Sequence, residues 1–160
     1  MDIPTSYRYI GLLGFLFFAT FFDFKTRKVP NVLVGIAVGV AVMISFLPQS
    51  KIDLMQTVLG GLLGLLIFYY PYAKAYIGAG DTKLFVVVGM FLGPHLAIWA
   101  YLFTCLMGGF FATFVAIYQS QLKQAFTNIY TKSQVQKNFP YAVAIFAGTG
   151  MAIFNCQKLL

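Results

Sequence analysis

The sequence predicts an all-α integral membrane protein with about six transmembrane helices, on three observations. The chain of 160 residues is 60% hydrophobic and only 9% charged, whereas a soluble domain carries about 25% charged residues. Its apolar residues form long runs, and its lysines and arginines gather in the short segments between them. A chain of this composition cannot cover a surface that faces water. We therefore expect one membrane-embedded domain over residues 1–160.

The apolar runs give the boundaries of the predicted spans. A helix needs about 20 apolar residues to cross a bilayer. The runs cover residues 7–22, 32–47, 54–72, 84–93, 96–118 and 141–156. The fourth is short, because about ten residues at ~1.5 Å each reach only half of the hydrocarbon core. Either residues 78–81 lie below the membrane surface and line a water-filled notch, or residues 84–118 do not form two crossings. The Gly93-Pro94-His95 turn signal favours the first alternative.

The basic residues predict the orientation of the spans, because lysine and arginine favour the cytoplasmic side of a membrane. If the N-terminus lies outside, only Arg8, Lys51 and Lys158 are outside with it. The others are then cytoplasmic, namely Lys25, Arg27, Lys28, Lys74, Lys83, Lys123, Lys132 and Lys137. This split predicts an N-out, C-out protein. It also explains the net charge of +7 without a nucleic-acid partner.

Residues 119–138 form a basic segment without any acid. Leu122, Ala125, Phe126 and Ile129 recur in it at helical spacing. This pattern predicts either an amphipathic helix that lies on the cytoplasmic leaflet, attracted by anionic membrane lipid, or a solvated loop.

Asp23 and Asp81 carry the functional prediction. Asp23 closes the first apolar run and Asp81 precedes the fourth, so both are cytoplasmic in the predicted topology, while Asp53 lies on the opposite side. An ionisable side chain at membrane depth is costly, so its presence suggests a function. When two carboxylates lie close together one keeps a proton, so that one can activate water while the other protonates the oxyanion or the leaving amine. Two such groups are the equipment of an aspartic protease, which needs no cofactor and no metal.

Two sequence blocks surround these aspartates. The first has the pattern D-x-x-x-x-x-[VI]-P-N over residues 23–31, and the second has the pattern G-x-G-D-x-K-L over residues 78–84. A third, Phe139-Pro140-Tyr141-Ala142, precedes a glycine-containing apolar run. Together the blocks resemble the type IV prepilin peptidase family of membrane aspartic proteases, which includes the archaeal preflagellin peptidases. The resemblance extends over essentially the whole chain.

The resemblance implies a six-span multi-pass protein of the cytoplasmic (inner) membrane in which Asp23 and Asp81 are catalytic. Its substrates would be pilin-like precursors, cleaved at the cytoplasmic face to remove a short basic leader. The motif residues expected to shape the site are Gly78, Gly80, Lys83, Pro30, Asn31 and Pro140. The chain resembles the minimal, peptidase-only branch, because it lacks the cysteine-bearing and methyltransferase portions of larger members. Ala79 and Ala142 stand where the family often has glycine.

Simpler interpretations of these residues stay open. Pro30 would stop a helix and Asn31 would cap the second span, while Lys83 would be an interfacial lysine reaching for the membrane surface. Asp23 alone would be an interfacial acid, and Asp81 alone an acid favoured by a helix N-terminus.

Two other classes of function also stay open. A small proton- or cation-coupled transporter would use Asp23 and Asp81 as binding groups, but it predicts charges near mid-span and repeated halves, and neither is apparent in the sequence. A structural subunit of a secretion system would need neither carboxylate.

The glycines give two further expectations. Gly78 and Gly80 would permit unusual backbone angles and the close approach of an extended peptide. The pairs with small-xxx-small spacing would let helices pack closely inside the protein: Gly35 with Gly39, Gly60 with Gly64, and Gly89 with Gly93.

Overall fold

A computed structural model gives the arrangement of residues 3–26, 29–47, 50–74, 77–118 and 141–159. These residues form five helices, which we number α1 (Ile3–Thr26), α2 (Asn31–Ser45), α3 (Leu54–Ala73), α4 (Ala79–Tyr118) and α5 (Tyr141–Leu159). No strand occurs in these ranges. The all-α prediction is therefore confirmed. The basic segment 119–138 and Pro140 lie outside the residues that the structure describes.

Helix α4 is broken at Gly93, whose backbone angles are φ 70° and ψ 171°. A positive φ is accessible to glycine at little cost, and the following Pro94 has no N–H to continue the helical ladder. The break divides α4 into two segments, α4a (residues 79–92) and α4b (residues 94–118). The turn signal in the sequence thus marks a real interruption.

The two segments of α4 fold back on each other. The Tyr101 hydroxyl donates a hydrogen bond of 3.0 Å to the carbonyl of Phe85, although the two residues are 16 positions apart. In one straight helix that separation would be about 24 Å. Residues 85 and 101 are also equidistant from Gly93, so α4a and α4b form an antiparallel hairpin. This arrangement supports separate segments for the fourth and fifth predicted spans.

The fourth predicted span begins earlier than the sequence indicated. Helix α4 starts at Ala79, whereas the apolar run starts at Leu84. Residues 79–83, which precede the apolar run, form the first turn of the helix. Segment α4a therefore has a length of about 21 Å at ~1.5 Å per residue, although it is still shorter than a complete span.

Helix α3 packs against α4a through two glycine pairs. A β-carbon at Gly60 would overlap the carbonyl oxygen of Gly89 and would lie 3.0 Å from Cα of Gly93. A β-carbon at Gly64 would lie 2.7 Å from the carbonyl oxygen of Phe85. Since position 60 meets 89 and position 64 meets 85, the helices are antiparallel. Close internal packing is confirmed for these pairs.

The third glycine pair behaves differently. Gly35 and Gly39 lie on an exposed face of α2, and a β-carbon at either would meet no atom within 4 Å. The prediction of internal packing was wrong for this pair. Spacing places two glycines on one face of a helix, but it does not provide that face with a neighbour.

Helix α1 runs antiparallel to α4a. Near its start, a β-carbon at Gly11 would lie 3.5 Å from the ring of Phe91. Arg8 lies one turn before Gly11 and donates to the carbonyl oxygen of Phe91 at 3.4 Å. At the other level, Asp23 near the end of α1 is close enough to Asp81 in the first turn of α4 for its charge to act there, so the end of α1 lies beside the beginning of α4. Asp23 and Asp81 are therefore placed at the same end of the bundle.

Arg8 joins several elements at the opposite end. Its side chain is only 2% exposed, and its guanidinium also donates to the carbonyl of Ile52 at 3.0 Å and to Oγ1 of Thr57 at 3.4 Å. The Phe91 carbonyl that it binds lies just before the break at Gly93, where helical partners are lost. Arg8 therefore fastens α1 and the beginning of α3 to the broken end of α4a.

The outer surface of the helices is strongly apolar. Leu66 and Val32, for example, are 73% and 74% exposed. Such a surface suits lipid and not water. By length and hydropathy, residues 54–73 could cross a membrane, and the apolar stretch 79–110 passes the same test as a whole although the break at Gly93 divides it in two. Asn31–Ser45 and residues 142–155 are shorter apolar helices. These findings fit a helical membrane protein; the six crossings and their orientation stay predictions.

Candidate active site

The two aspartates of the sequence motifs lie at the same end of the bundle, where α1 ends and α4 begins. Asp23 lies in the last turn of α1 and Asp81 in the first turn of α4, and both side chains are half-buried. They are close enough for the charge of Asp23 to act on Asp81. The antiparallel packing of α1 and α4a produces this proximity between residues that are far apart in sequence.

Asp53 is excluded from this pair, as the sequence predicted. It is the N-cap residue of α3, where its exposed carboxylate accepts a hydrogen bond of 2.8 Å from the backbone N–H of Gln56. The neighbouring carbonyl of Ile52 is bound by Arg8, at the end of the bundle remote from Asp23. Asp53 therefore has a capping role of its own and provides a natural control for the other two acids.

The first turn of α4 folds around Asp81. The Asp81 carboxylate lies beside the backbone of Gly78, the residue just before the helix. The Gly78 carbonyl accepts hydrogen bonds from both N and Oγ1 of Thr82 at 3.2 Å. An acidic side chain at the start of a helix is favoured by the unpaired N–H groups there. The hydrogen bonds from Thr82 order the turn that carries the carboxylate.

The role of the motif glycines is spatial. Among the residues with described backbone, only Gly93 has a positive φ, so the expectation of unusual angles at Gly78 and Gly80 was wrong. A β-carbon at Gly78 would instead lie 3.3 Å from Oδ2 of Asp81. A β-carbon at Gly80 would lie 3.6 Å from Cγ2 of Val29. The glycines thus leave room for the Asp81 carboxylate and the Val29 side chain close to the start of α4.

Residues 29–31, at the end of the first motif block, also lie beside the start of α4. Val29 lies against Gly80, and Pro30 is the N-cap residue of α2, with φ −61° and ψ 133°. The Asn31 side chain does not cap α2, so that interpretation was wrong. Its Oδ1 instead accepts a hydrogen bond of 2.6 Å from Nζ of Lys83. Lys83 is exposed, as an interfacial lysine would be, but its ammonium joins the two motif blocks.

A cavity of about 530 Å³ opens beside the last turns of α1, and its described lining consists of Phe17, Thr20, Phe21 and Lys25. It combines aromatic walls with one ammonium group. The Thr20 hydroxyl donates to the Leu16 carbonyl at 2.7 Å. It also lies 3.4 Å from the carbonyl of Ala142, which belongs to α5, and donates to it. The sequence analysis missed this feature. Its only signal was the helical spacing of positions 17, 21 and 25.

The site offers carboxylates, an amide, an ammonium and backbone groups. In the part of the chain that the structure describes, no three His, Cys, Asp or Glu residues are grouped so that they could hold a metal ion. The carboxylates of Asp23 and Asp81 are the groups in this arrangement that can accept and donate protons.

The chain is similar to a known protein family. Residues 10–113 match the model of the type IV leader peptidase family. The matched region is more than half of the chain and includes both aspartates and both of the blocks that surround them. No curated protein and no solved structure matches the chain. The family resemblance inferred from the motifs is confirmed.

Proposed function

Because this chain belongs to the type IV leader peptidase family and is therefore a protease, we propose that it is an aspartic endopeptidase whose catalytic pair is Asp23 and Asp81. The observation that supports this most is the meeting of the two half-buried carboxylates at one end of the bundle, within reach of each other's charge. They come from separate helices, so their meeting is a property of the fold and not of local sequence.

The proposed reaction is the direct attack of water on a peptide carbonyl. The ionised carboxylate takes a proton from a water molecule, and the oxygen of that water bonds to the carbonyl carbon. The protonated carboxyl group donates a hydrogen bond to the developing oxyanion. A proton then passes to the peptide nitrogen as the C–N bond breaks, which yields a new carboxyl group and a new amine. The two aspartates exchange roles over the cycle, and no covalent intermediate forms.

The proposed substrates are pilin-like precursors, the class that the family implies. Such a substrate would enter with its apolar helix among the spans and its basic leader at the cytoplasmic face, where the aspartates offer negative charge. This placement requires six crossings with an N-out, C-out orientation in the inner membrane. The strongly apolar exterior of the helices agrees with lateral entry from lipid.

The transporter alternative gains no support from this arrangement. A transport site is expected near the bilayer midplane, whereas Asp23 and Asp81 occupy the last and first turns of their helices. A position at the helix ends suits the cleavage of a leader at the membrane surface.

Co-expression with pilin-like precursors tests the proposal. We expect the wild-type chain to shorten a precursor on a gel, and Asp23→Asn and Asp81→Asn each to abolish the change while accumulating normally in membranes. Asp53→Asn is the matched control and should retain cleavage, because Asp53 caps α3 at the far end. If either Asp23→Asn or Asp81→Asn still cleaves the precursor, the aspartic mechanism is wrong. If no precursor is shortened by the wild type, the proposed substrate class is wrong.

A further inference from the structure

We propose that the hydrogen bond between Lys83 and Asn31 is a clasp that holds the two aspartate-bearing segments in register, which makes both residues positioning residues for the cleavage reaction. The inference rests on the proposed function. It gives both side chains a role in catalysis, whereas their local sequence predicts only an interfacial lysine for Lys83 and a helix cap for Asn31.

The geometry of the contact supports a specific tie. Nζ of Lys83 and Oδ1 of Asn31 are 2.6 Å apart, although the residues are 52 positions apart in sequence. The short distance and the charged donor show a direct and well-aligned contact, even though the bond is exposed. The contact of Val29 with Gly80, two residues before Asn31 and three before Lys83, lies alongside it. The hydrogen bond and the nearness of Val29 to Gly80 therefore place residues 29–31 beside the start of α4.

The positions of the aspartates explain why such a tie is needed. Asp81 precedes Lys83 by two residues in the first turn of α4, and Asp23 lies in the last turn of α1, directly before the connection that leads to Asn31. Terminal turns are the parts of a helix that open most easily. Without a tie, each carboxylate would move with the end of its own helix. The clasp joins the start of α4, which carries Asp81, to the first residue of α2, which follows the end of α1 in the chain.

If the clasp positions the aspartates, its loss should lower activity strongly while changing stability little. An exposed hydrogen bond contributes little to the free energy of unfolding. A displacement of about 1 Å between catalytic groups, however, can lower a rate by about 100-fold. Loss of the clasp should therefore lower kcat strongly, with KM little changed and with the protein still folded. A lysine that merely reaches the membrane surface would show no such effect.

The experiment compares Lys83→Met, Asn31→Leu and their double variant, using detergent-solubilised full-length protein and a purified pilin-like precursor. We expect each single variant to lose about 10- to 100-fold in kcat, and the double variant to lose no more than the worse single one. Asn31→Asp keeps an acceptor for the ammonium and should retain most of the wild-type kcat. Lys74→Met is the matched control, since Lys74 is an exposed lysine next to Tyr70 at the end of α3.

Hydrogen exchange of the peptide that contains residues 77–85 gives a readout that does not depend on cleavage. Exchange should increase in Lys83→Met and Asn31→Leu, and it should stay at the wild-type rate in Lys74→Met and Asn31→Asp. Wild-type exchange in both clasp variants would overturn the clasp whatever the substrate. Wild-type kcat in Lys83→Met, or losses that multiply in the double variant, would overturn its positioning role. Failure of the wild type to cleave, or cleavage by Asp23→Asn, would instead refute the proposed function.

Discussion

Substitution of Gly60 by alanine tests how tightly α3 and α4a are packed. The added β-carbon would overlap the carbonyl oxygen of Gly89 and press on Cα of Gly93. Both neighbours are backbone atoms, so no side-chain rotation can relieve the contact. The helices must therefore separate, which also loosens the stacked rings of Phe68 and Phe85, whose centroids are 3.5 Å apart.

Gly35→Ala provides the reference for the magnitude. Alanine is favoured over glycine inside a helix by about 1 kcal/mol, and both variants receive this gain. At Gly35 the new methyl group meets no atom within 4 Å, so nothing opposes the gain. At Gly60 overpacking costs about 1–3 kcal/mol, and the loss of packing along the separated helices adds to it. Because the gain is common to both variants, Gly60→Ala should be less stable than Gly35→Ala by at least about 1–3 kcal/mol.

Thermal unfolding in one detergent, followed by loss of helical circular dichroism, measures the difference. We expect a clearly lower Tm for Gly60→Ala than for Gly35→Ala, and an unchanged or higher Tm for Gly35→Ala than for the wild type. Equal stability of the two alanine variants would refute the packing of α3 on α4a through Gly60.

Two further predictions concern buried donors and use the same unfolding assay. Arg8→Met should lower the free energy of unfolding by about 2–4 kcal/mol, because it leaves the carbonyls of Ile52 and Phe91 without their charged donor. Arg8→Lys should recover only part of the lost stability, since one ammonium group cannot replace the several donors of the guanidinium. An unchanged Tm in Arg8→Met would show that the buried guanidinium does not fasten the broken end of α4a. Tyr101→Phe should cost about 1 kcal/mol, because its hydroxyl donates to the Phe85 carbonyl across the hairpin. A gain in stability from this change would contradict the hydrogen bond.

The features that the sequence predicted well depend on local chemistry. Apolar runs identified the helices to within a few residues, and Gly93 with Pro94 identified the break between α4a and α4b. Both follow from what a residue does to its own backbone. The orientation of α1 against α4a also agreed with the requirement that Asp23 and Asp81 share one end.

The features that it missed depend on which surfaces meet. The same glycine spacing occurs at Gly35 and at Gly60, yet one faces outward and the other contacts backbone, because the neighbour is set by the whole bundle. The pairing of Lys83 with Asn31 has no local signal for the same reason. The early start of α4 was missed because glycines argue against a helix, while the hydrogen bonds from Thr82 to the Gly78 carbonyl favour one.

Cleavage by purified protein is the most direct test of the central claim. The wild type, Asp23→Asn, Asp81→Asn and Asp53→Asn would each be reconstituted in lipid vesicles with a pilin-like precursor, and the products identified by mass spectrometry. We predict a single new N-terminus at the leader junction with the wild type and with Asp53→Asn, and none with the other two at equal amounts of folded protein. The same cleavage product from Asp23→Asn or Asp81→Asn would contradict the assignment of these two carboxylates as the catalytic pair.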